Sequence, residues 1–267
     1  MENFRIRKMS DEIISCVREI PDDPAGIVIG IHGFSSSKEG ATYRLLLERL
    51  PQAGLGVICI DLPGHGTEDS LKETLRIPGA VDSIRAAEKF VRSEYPGCDI
   101  FYFGSSFGAY LTCLYISGRE HTGRKAFLRS AAVNMPALFC KENPTEKEKQ
   151  QLRDLETKGY FDTDMDLHRP VRIVREMYDD LLQNDLFERF DGGLIGEHQI
   201  LMVHGREDDV IDPAEAERFA EKFHIPVVWF AGEGHSLSND PSTPGKVVDM
   251  AGAFFKGQLN KALFKEN

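Results

Sequence analysis

Short apolar runs alternating with amphipathic stretches constrain this chain more than any other feature. Ile27 to Ile31, Val57 to Ile60, Ile100 to Phe103, Phe127 to Val133, Ile200 to Val203 and Val227 to Phe230 are each brief, largely β-branched or aromatic, and bounded by Gly, Pro or Asp. A run apolar at successive positions suits a strand covered on both faces, as in a parallel sheet between helical layers. Between the runs, Tyr43, Leu46, Leu47 and Leu50 share one helical face. Ile77, Val81, Ile84 and Val91 share another, as do Phe107, Tyr110, Leu111 and Leu114. Ala214 to Phe223 and Val247 to Leu259 complete the helical set. This alternation predicts a doubly wound, mostly parallel α/β sheet with right-handed crossovers. Glu12 to Glu19 is read as an added antiparallel edge strand.

The alternation breaks between about Asn134 and Gly196, a highly charged stretch with no obvious buried strand. A structureless loop of that length is uncommon in a compact domain. Lys141 to Lys158 and Pro170 to Phe187 look helical. The expected organisation is a core of residues 1–133 and 197–267, with 134–196 inserted as a small, mostly helical cap over the carboxyl edge of the sheet.

Composition narrows the function classes. The formal net charge of −11 argues against nucleic acid as a partner, because phosphate backbones need Lys/Arg stripes. No apolar run reaches the roughly 20 residues of a membrane span, and the N-terminus shows no signal-peptide pattern. Cys16, Cys59, Cys98, Cys113 and Cys140 are scattered and lack CxxC spacing. Reduced thiols, a cytoplasmic setting and no metal site are the expectation.

Gly104-Ser105-Ser106-Phe107-Gly108 follows one apolar run and opens a helical face. A G-x-S-x-G in that context forms a sharp strand-to-helix turn that presents the central serine at a helix N-terminus. Ser106 alone has glycines two positions away on each side, which favours it over Ser105. The bland reading of Ser106 is a helix N-cap.

Five motifs in order, His32-Gly33-Phe34, Asp61-Leu62-Pro63-Gly64-His65-Gly66, the serine pentapeptide, His204-Gly205-Arg206-Glu207-Asp208 and Gly234-His235, make the chain resemble the α/β-hydrolase superfamily. It is most similar to small-cap carboxylesterases and the related monoglyceride-lipase and serine-aminopeptidase-like group. The resemblance implies Ser106 as nucleophile, His235 as general base and Asp208 as the acid that orients it. Asp209 is a rival for the acid and Asp212 lies close. A family variant with the acid after the sixth strand would place it near Asn134, which carries no charge to hold an imidazolium. The resemblance also implies that the backbone N–H groups of Phe34 and Phe107 bind the oxyanion. His32 and His65 are expected to support loops, and His121, His168, His198 and His224 to lie on the surface.

The expected activity is hydrolysis of a small-molecule carboxylic ester of small to medium acyl size through an acyl-enzyme, with no cofactor. A peptidase or thioesterase would use the same three residues. A peptidase of this type would need an anionic anchor for a substrate N-terminus, for which Asp162, Asp164, Asp166, Asp179 and Asp180 are candidates. A non-catalytic ligand receptor on the same fold is disfavoured by the presence of all three residue types. Tyr160, Phe161, Met165, Met177, Tyr178, Leu181 and Phe187 are candidate pocket-wall residues of the cap, about half of them expected only to pack it. Oligomeric state is not legible.

Overall fold

A computed structural model of the protein describes residues 1–66, 70–117, 122–139, 141, 143–163, 170–193 and 199–259. The candidate residues Met165, Asp164, Asp166, His121, His168, His198 and Cys140 lie outside the described residues. In chain order the elements are β1 (Glu2–Arg7), β2 (Ile13–Glu19), β3 (Ile27–Ile31), α1 (Ala41–Gln52), β4 (Gly56–Ile60), α2 (Ile77–Glu94), β5 (Ile100–Ser105), α3 (Phe107–Ile116) and β6 (Gly123–Arg129). Then follow α4 (Met135–Phe139), α5 (Glu146–Lys158), β7 (Tyr160–Thr163), β8 (Val171–Val174), α6 (Arg175–Gln183), α7 (Leu186–Arg189), β9 (Ile200–Gly205), α8 (Pro213–Phe223), β10 (Val227–Phe230) and α9 (Thr243–Phe255).

The main sheet has eight strands in the order β1-β2-β4-β3-β5-β6-β9-β10. It is parallel from β4 to β10, and β2 pairs antiparallel with both β4 and β1. Alternate residues of the buried strands enter opposite layers. Ile29, Ile58, Tyr102 and Met202 join the layer of α2, α3 and α8. Val28, Val57, Phe103 and Leu201 join the layer of α1 and α9. Both faces are covered, as in the doubly wound arrangement expected from the apolar runs, and the chain has the α/β-hydrolase fold.

Two boundaries differ from expectation. The strand at Glu12 to Glu19 is not the edge; β1 pairs outside it. Arg5 and Arg7 face solvent on that outer strand while Ile6 is buried, so β1 lacks a continuous apolar run, and charge on an edge strand discourages further pairing. The run Phe127 to Val133 begins as strand earlier, at Gly123, and stops at Arg129. Ser130 takes a positive φ of 45°, which turns the chain out of the sheet.

Between β6 and β9 the chain forms α4, α5, the β7–β8 hairpin, α6 and α7. Lys141 to Lys158 is helical only from Glu146, where Thr145 and Glu148 form a capping box. Pro170 to Phe187 opens as a strand and not as a helix: Val171, Arg172, Ile173 and Val174 pair with Tyr160–Thr163. Val171 and Ile173 are buried while Arg172 is exposed, and this period-2 burial selects strand. Met177, Leu181 and Leu186 join the core layer of α2 and α3. The Arg76 guanidinium grips Asp180 of α6 at 2.6 and 2.9 Å, and Asp180 also accepts from the Ile77 N–H at the start of α2.

A buried carboxylate ties the layers together away from the Gly104–Gly108 strand-to-helix turn, the elbow between β5 and α3. Glu88 of α2 accepts from Tyr102 (2.5 Å), Tyr115 (2.6 Å) and both the N–H and hydroxyl of Thr122. Burial alone would raise its pKa; the hydrogen bonds from Tyr102, Tyr115 and Thr122 outweigh burial and hold it below the ordinary value. Its contribution to stability is therefore present above about pH 4.3 and lost as pH falls through the lower folded-state value. Glu88→Gln turns an amide N–H₂ toward hydroxyl donors and is expected to cost about 2–3 kcal/mol. Urea unfolding at neutral pH should show the loss, with a flatter acid arm of stability against pH. Unchanged stability would mean these bonds contribute nothing net.

Candidate active site

Ser106 sits between β5 and α3 with φ 53° and ψ −115°. A non-glycine residue with positive φ is strained, and such strain gathers at functional turns. The flanking glycines are required by close approach. A Cβ on Gly104 would lie 2.7 Å from the Ala109 Cα and the Gly108 carbonyl. A Cβ on Gly108 would overlap the carbonyl oxygens of Ile31 and His32 at the end of β3. Ser106 occupies the N-cap position of α3, yet its side chain makes no capping bond. Its Oγ instead lies 3.0 Å from His235 Nε2. Ser105 is engaged elsewhere, accepting from Arg129 Nη1 at 2.8 Å.

His235 follows β10 and donates through Nδ1 to Asp208 Oδ2 at 2.8 Å. Ser106, His235 and Asp208, distant in sequence, thus form one hydrogen-bonded chain. Asp208 is buried, whereas Asp209 is exposed. Asp212 caps α8 through the Ala214 N–H, and Asn134 bonds Glu215. The Asp208 Oδ1 atom accepts from the Val210 and Ile211 N–H groups at 2.9 and 2.8 Å. Burial would raise the Asp208 pKa; the donors His204 and His235 outweigh it and hold the carboxyl well below its usual range. Asp208 is a fixed anion at neutral pH.

The Phe34 loop lies against the elbow. A Cβ on Gly33 would sit 3.3 Å from the Ser106 Cβ, and the rings of Phe34 and Phe107 meet edge-on with centroids 6.0 Å apart. Among the described residues, neither the Phe34 nor the Phe107 N–H takes part in the backbone hydrogen bonds of the turns and loops. His32 supports this loop: its Nδ1–H donates to Gly33 O at 2.7 Å, and its Nε2 accepts from the Leu62 N–H at 3.0 Å. Burial lowers the His32 pKa to about 4, so the imidazole is neutral. Asp61 accepts from Lys38 N and Nζ at 2.7 and 2.8 Å, anchoring the far end of the loop. His65 is buried, its pKa lowered by burial to about 3, and it donates to Pro63 O at 2.9 Å. His224 is exposed. Among the described residues, no group of three His, Cys, Asp or Glu is arranged to hold a metal, and no helix is long and apolar enough to cross a membrane.

A cavity of about 360 Å³ opens beside Asp209 and Val210, between the core and the segment after β6. Its apolar wall is Leu138, Phe139, Leu152, Phe161, Tyr178 and Val210. Phe139 touches the Phe34 ring at a centroid distance of 6.3 Å, so the cavity adjoins the loop at the elbow. Of the expected pocket residues, Phe161 and Tyr178 line it. Met177 and Leu181 are buried in the core, Phe187 packs edge-on against Phe219, and Tyr160 lies under the Arg172 guanidinium.

Sequence patterns did not assign a role to His204 or Arg129. The His204 Nε2 atom lies 3.1 Å from Asp208 Oδ2 and 3.3 Å from Ile211 O. Both neighbours are acceptors, so Nε2 carries the proton. The motif His204 to Asp208 placed this histidine four residues before the acid, but only the turn after β9 brings the side chains together.

The family model for serine aminopeptidase, S33 matches residues 22–190. That span contains Phe34, Ser106 and Phe107 and ends before Asp208 and His235, which are brought to the serine by the fold. A search of curated proteins finds no match. Among solved structures, Est1E from Butyrivibrio proteoclasticus with ferulic acid bound is similar with a TM-score of 0.76 and 16% identity, over 96% of this chain and 98% of that one. A highly thermostable carboxyl esterase from Bacillus coagulans in complex with glycerol gives 0.71 and 15%, covering 96% and 98%. Alpha/beta hydrolase domain-containing protein 10 from mouse gives 0.72 and 14%, covering 96% and 99%. At these identities the likeness is one of fold. The family match extends over well more than half the sequence, and on that ground the chain belongs to the serine aminopeptidase S33 family of α/β-hydrolases.

Proposed function

We propose that the protein is a serine esterase acting on small-molecule carboxylic esters of small to medium acyl size. The observation that carries this reading is the hydrogen-bonded chain from Ser106 Oγ through His235 to Asp208, at 3.0 and 2.8 Å. The Ser106 hydroxyl attacks the ester carbonyl while His235 Nε2 takes its proton. The Phe34 and Phe107 N–H groups bind the oxyanion, each worth about 3–4 kcal/mol in the transition state. Collapse of the tetrahedral intermediate expels the alcohol, which receives the proton from His235. A water, deprotonated by His235, then attacks the acyl-Ser106 bond; the acid leaves and the serine regains its proton. No cofactor enters the cycle.

The segment 134–196 acts as a cap in this scheme, and the cavity beneath it holds part of the substrate. Its volume suits a ring or a short chain, and its wall sets aromatic and aliphatic side chains beside polar ones such as Gln151, Thr163 and Asp209. The solved structure of Est1E with an aromatic acid bound supports the same size class. An aminopeptidase reading needs an unpaired acid for the substrate amine. Asp180 is held by Arg76 and Asp162 by Arg172, which weighs against both as anchors.

The test is a kcat/KM series over p-nitrophenyl esters from acetyl to palmitoyl, an aryl-acyl ester, a thioester and aminoacyl anilides. Short, medium or aryl acyl esters should be the best substrates. Phe161→Ala and Tyr178→Ala should shift the aryl-to-acetyl ratio by roughly 10-fold or more, as loss of a pocket contact does. Efficiency that climbs steadily to palmitoyl refutes the size class, and faster anilide cleavage refutes the ester reading. Unchanged ratios in both variants would place specificity outside this cavity.

A further inference from the structure

Arg129 is a buried cation that the proposed chemistry does not use. It ends β6, and the residue is almost wholly covered, at 8% exposure. Taking a guanidinium out of water costs several kcal/mol unless hydrogen bonds offset it. Here the two arms of the fork go to opposite sides of the serine–histidine pair. Nη1 donates to Ser105 Oγ, on the residue before the nucleophile. Nη2 donates to the carbonyl of Ser236, the residue after the histidine. The backbone repeats the pattern. The Arg129 carbonyl accepts from the Ser106 N–H at 2.8 Å, and the Ser130 hydroxyl donates to the His235 carbonyl at 2.8 Å.

Strand order explains why this residue can do so. β6 lies between β5, which ends at the elbow, and β9, which leads into the Asp208 turn. The His235 loop comes from the far side of β9, after β10. A side chain at the carboxyl end of β6 is therefore placed to bridge the elbow and the loop. Asp208 and Glu233 lie near enough to interact with the Arg129 charge, as does Tyr43.

We propose that Arg129 is a positioning residue that staples the nucleophile elbow to the histidine loop and so fixes the distance from Ser106 Oγ to His235 Nε2. The inference rests on the triad reading given above. Proton transfer between the two groups depends steeply on their separation, and a displacement near 1 Å can cost on the order of 100-fold. Arg129 does not line the cavity beneath the 134–196 segment, so substrate binding should be spared.

The experiment compares wild type, Arg129→Met, Arg129→Lys, Ser105→Ala and the double variant Ser105→Ala with Ser130→Ala on one p-nitrophenyl ester. Arg129→Met should lower kcat by about 10- to 100-fold with KM held within about 3-fold. Arg129→Lys should recover only part of the loss, because an ammonium lacks the planar fork that reaches both acceptors. The double variant removes the Ser105 and Ser130 side-chain contacts of the staple and leaves the Arg129 contact to Ser236 and the backbone bond to Ser106, with no charge removed. It should lower kcat with unchanged KM even if Arg129→Met does not fold. Folded Arg129→Met with wild-type kcat, or a loss seen only in KM, overturns the proposal. So does wild-type kcat in the double variant. A wild type that a fluorophosphonate fails to label at Ser106 overturns the triad reading, and this inference with it. A labelled, active wild type with unchanged variants overturns the staple alone.

Discussion

Ser106→Ala is expected to lower turnover by about 10⁶-fold while leaving the fold and its melting temperature nearly unchanged. The size of the loss follows from the position of Oγ, a nucleophilic oxygen 3.0 Å from His235 Nε2. The preserved stability follows from what that oxygen does not do. It makes no capping bond to α3, and its partner is His235. The strained φ of 53° is imposed by the chain on either side, and alanine bears a Cβ just as serine does. A fluorophosphonate should label Ser106 in the wild type and leave Ser105 unmodified, since the Ser105 hydroxyl is buried and held by Arg129. Peptide mapping by mass spectrometry decides between them. A folded Ser106→Ala protein with full activity would remove the basis for the serine mechanism.

Much of this arrangement was legible in the sequence, and the reason is physical. A parallel strand buried on both faces leaves a continuous apolar run, and six such runs were visible. The elbow was legible because its geometry demands glycine at Gly104 and Gly108, where a Cβ would overlap neighbouring backbone. What escaped had weaker local marks. β1 carries charge on an edge, and only Phe4 and Ile6 of its six residues are apolar. The β7–β8 hairpin sits in a highly charged stretch, where Arg172 and Asp162 face solvent between buried neighbours. Arg129 and His204 escaped for a different reason. Each acts through contacts set by the order of strands in the sheet, and strand order leaves no signature at the residues themselves. The cavity wall shows the same limit. Met177, Leu181 and Phe161 are all buried in one core cluster, yet of the three Phe161 alone also lines the cavity.

Asp208→Asn should lower kcat by about 10⁴-fold, and the hydrogen bonds around the carboxylate say why. The Oδ1 atom faces two backbone donors, the N–H groups of Val210 and Ile211. The Oδ2 atom faces two ring donors, His235 Nδ1 and His204 Nε2. An asparagine has one oxygen and one N–H₂ to offer. If its oxygen stays with the backbone donors, the N–H₂ confronts both histidines. Relief then requires each ring to move its proton to the other nitrogen. For His235 that places N–H toward Ser106 Oγ, where a lone pair is needed to take the proton. For His204 it places N–H at Nδ1, which has no hydrogen-bond partner among the described residues, and it removes the donor from Ile211 O. If the amide turns over, its N–H₂ opposes the two backbone N–H groups instead. Neither orientation is neutral, so the variant should lose stability as well as turnover, unlike Ser106→Ala. Asp209→Asn changes an exposed residue at the mouth of the cavity and should affect KM more than kcat. Steady-state kinetics and melting curves of the two asparagine variants separate the cases. A large kcat loss in Asp209→Asn with an active Asp208→Asn would move the acid one residue along the chain, against the 2.8 Å contact of Asp208 with His235.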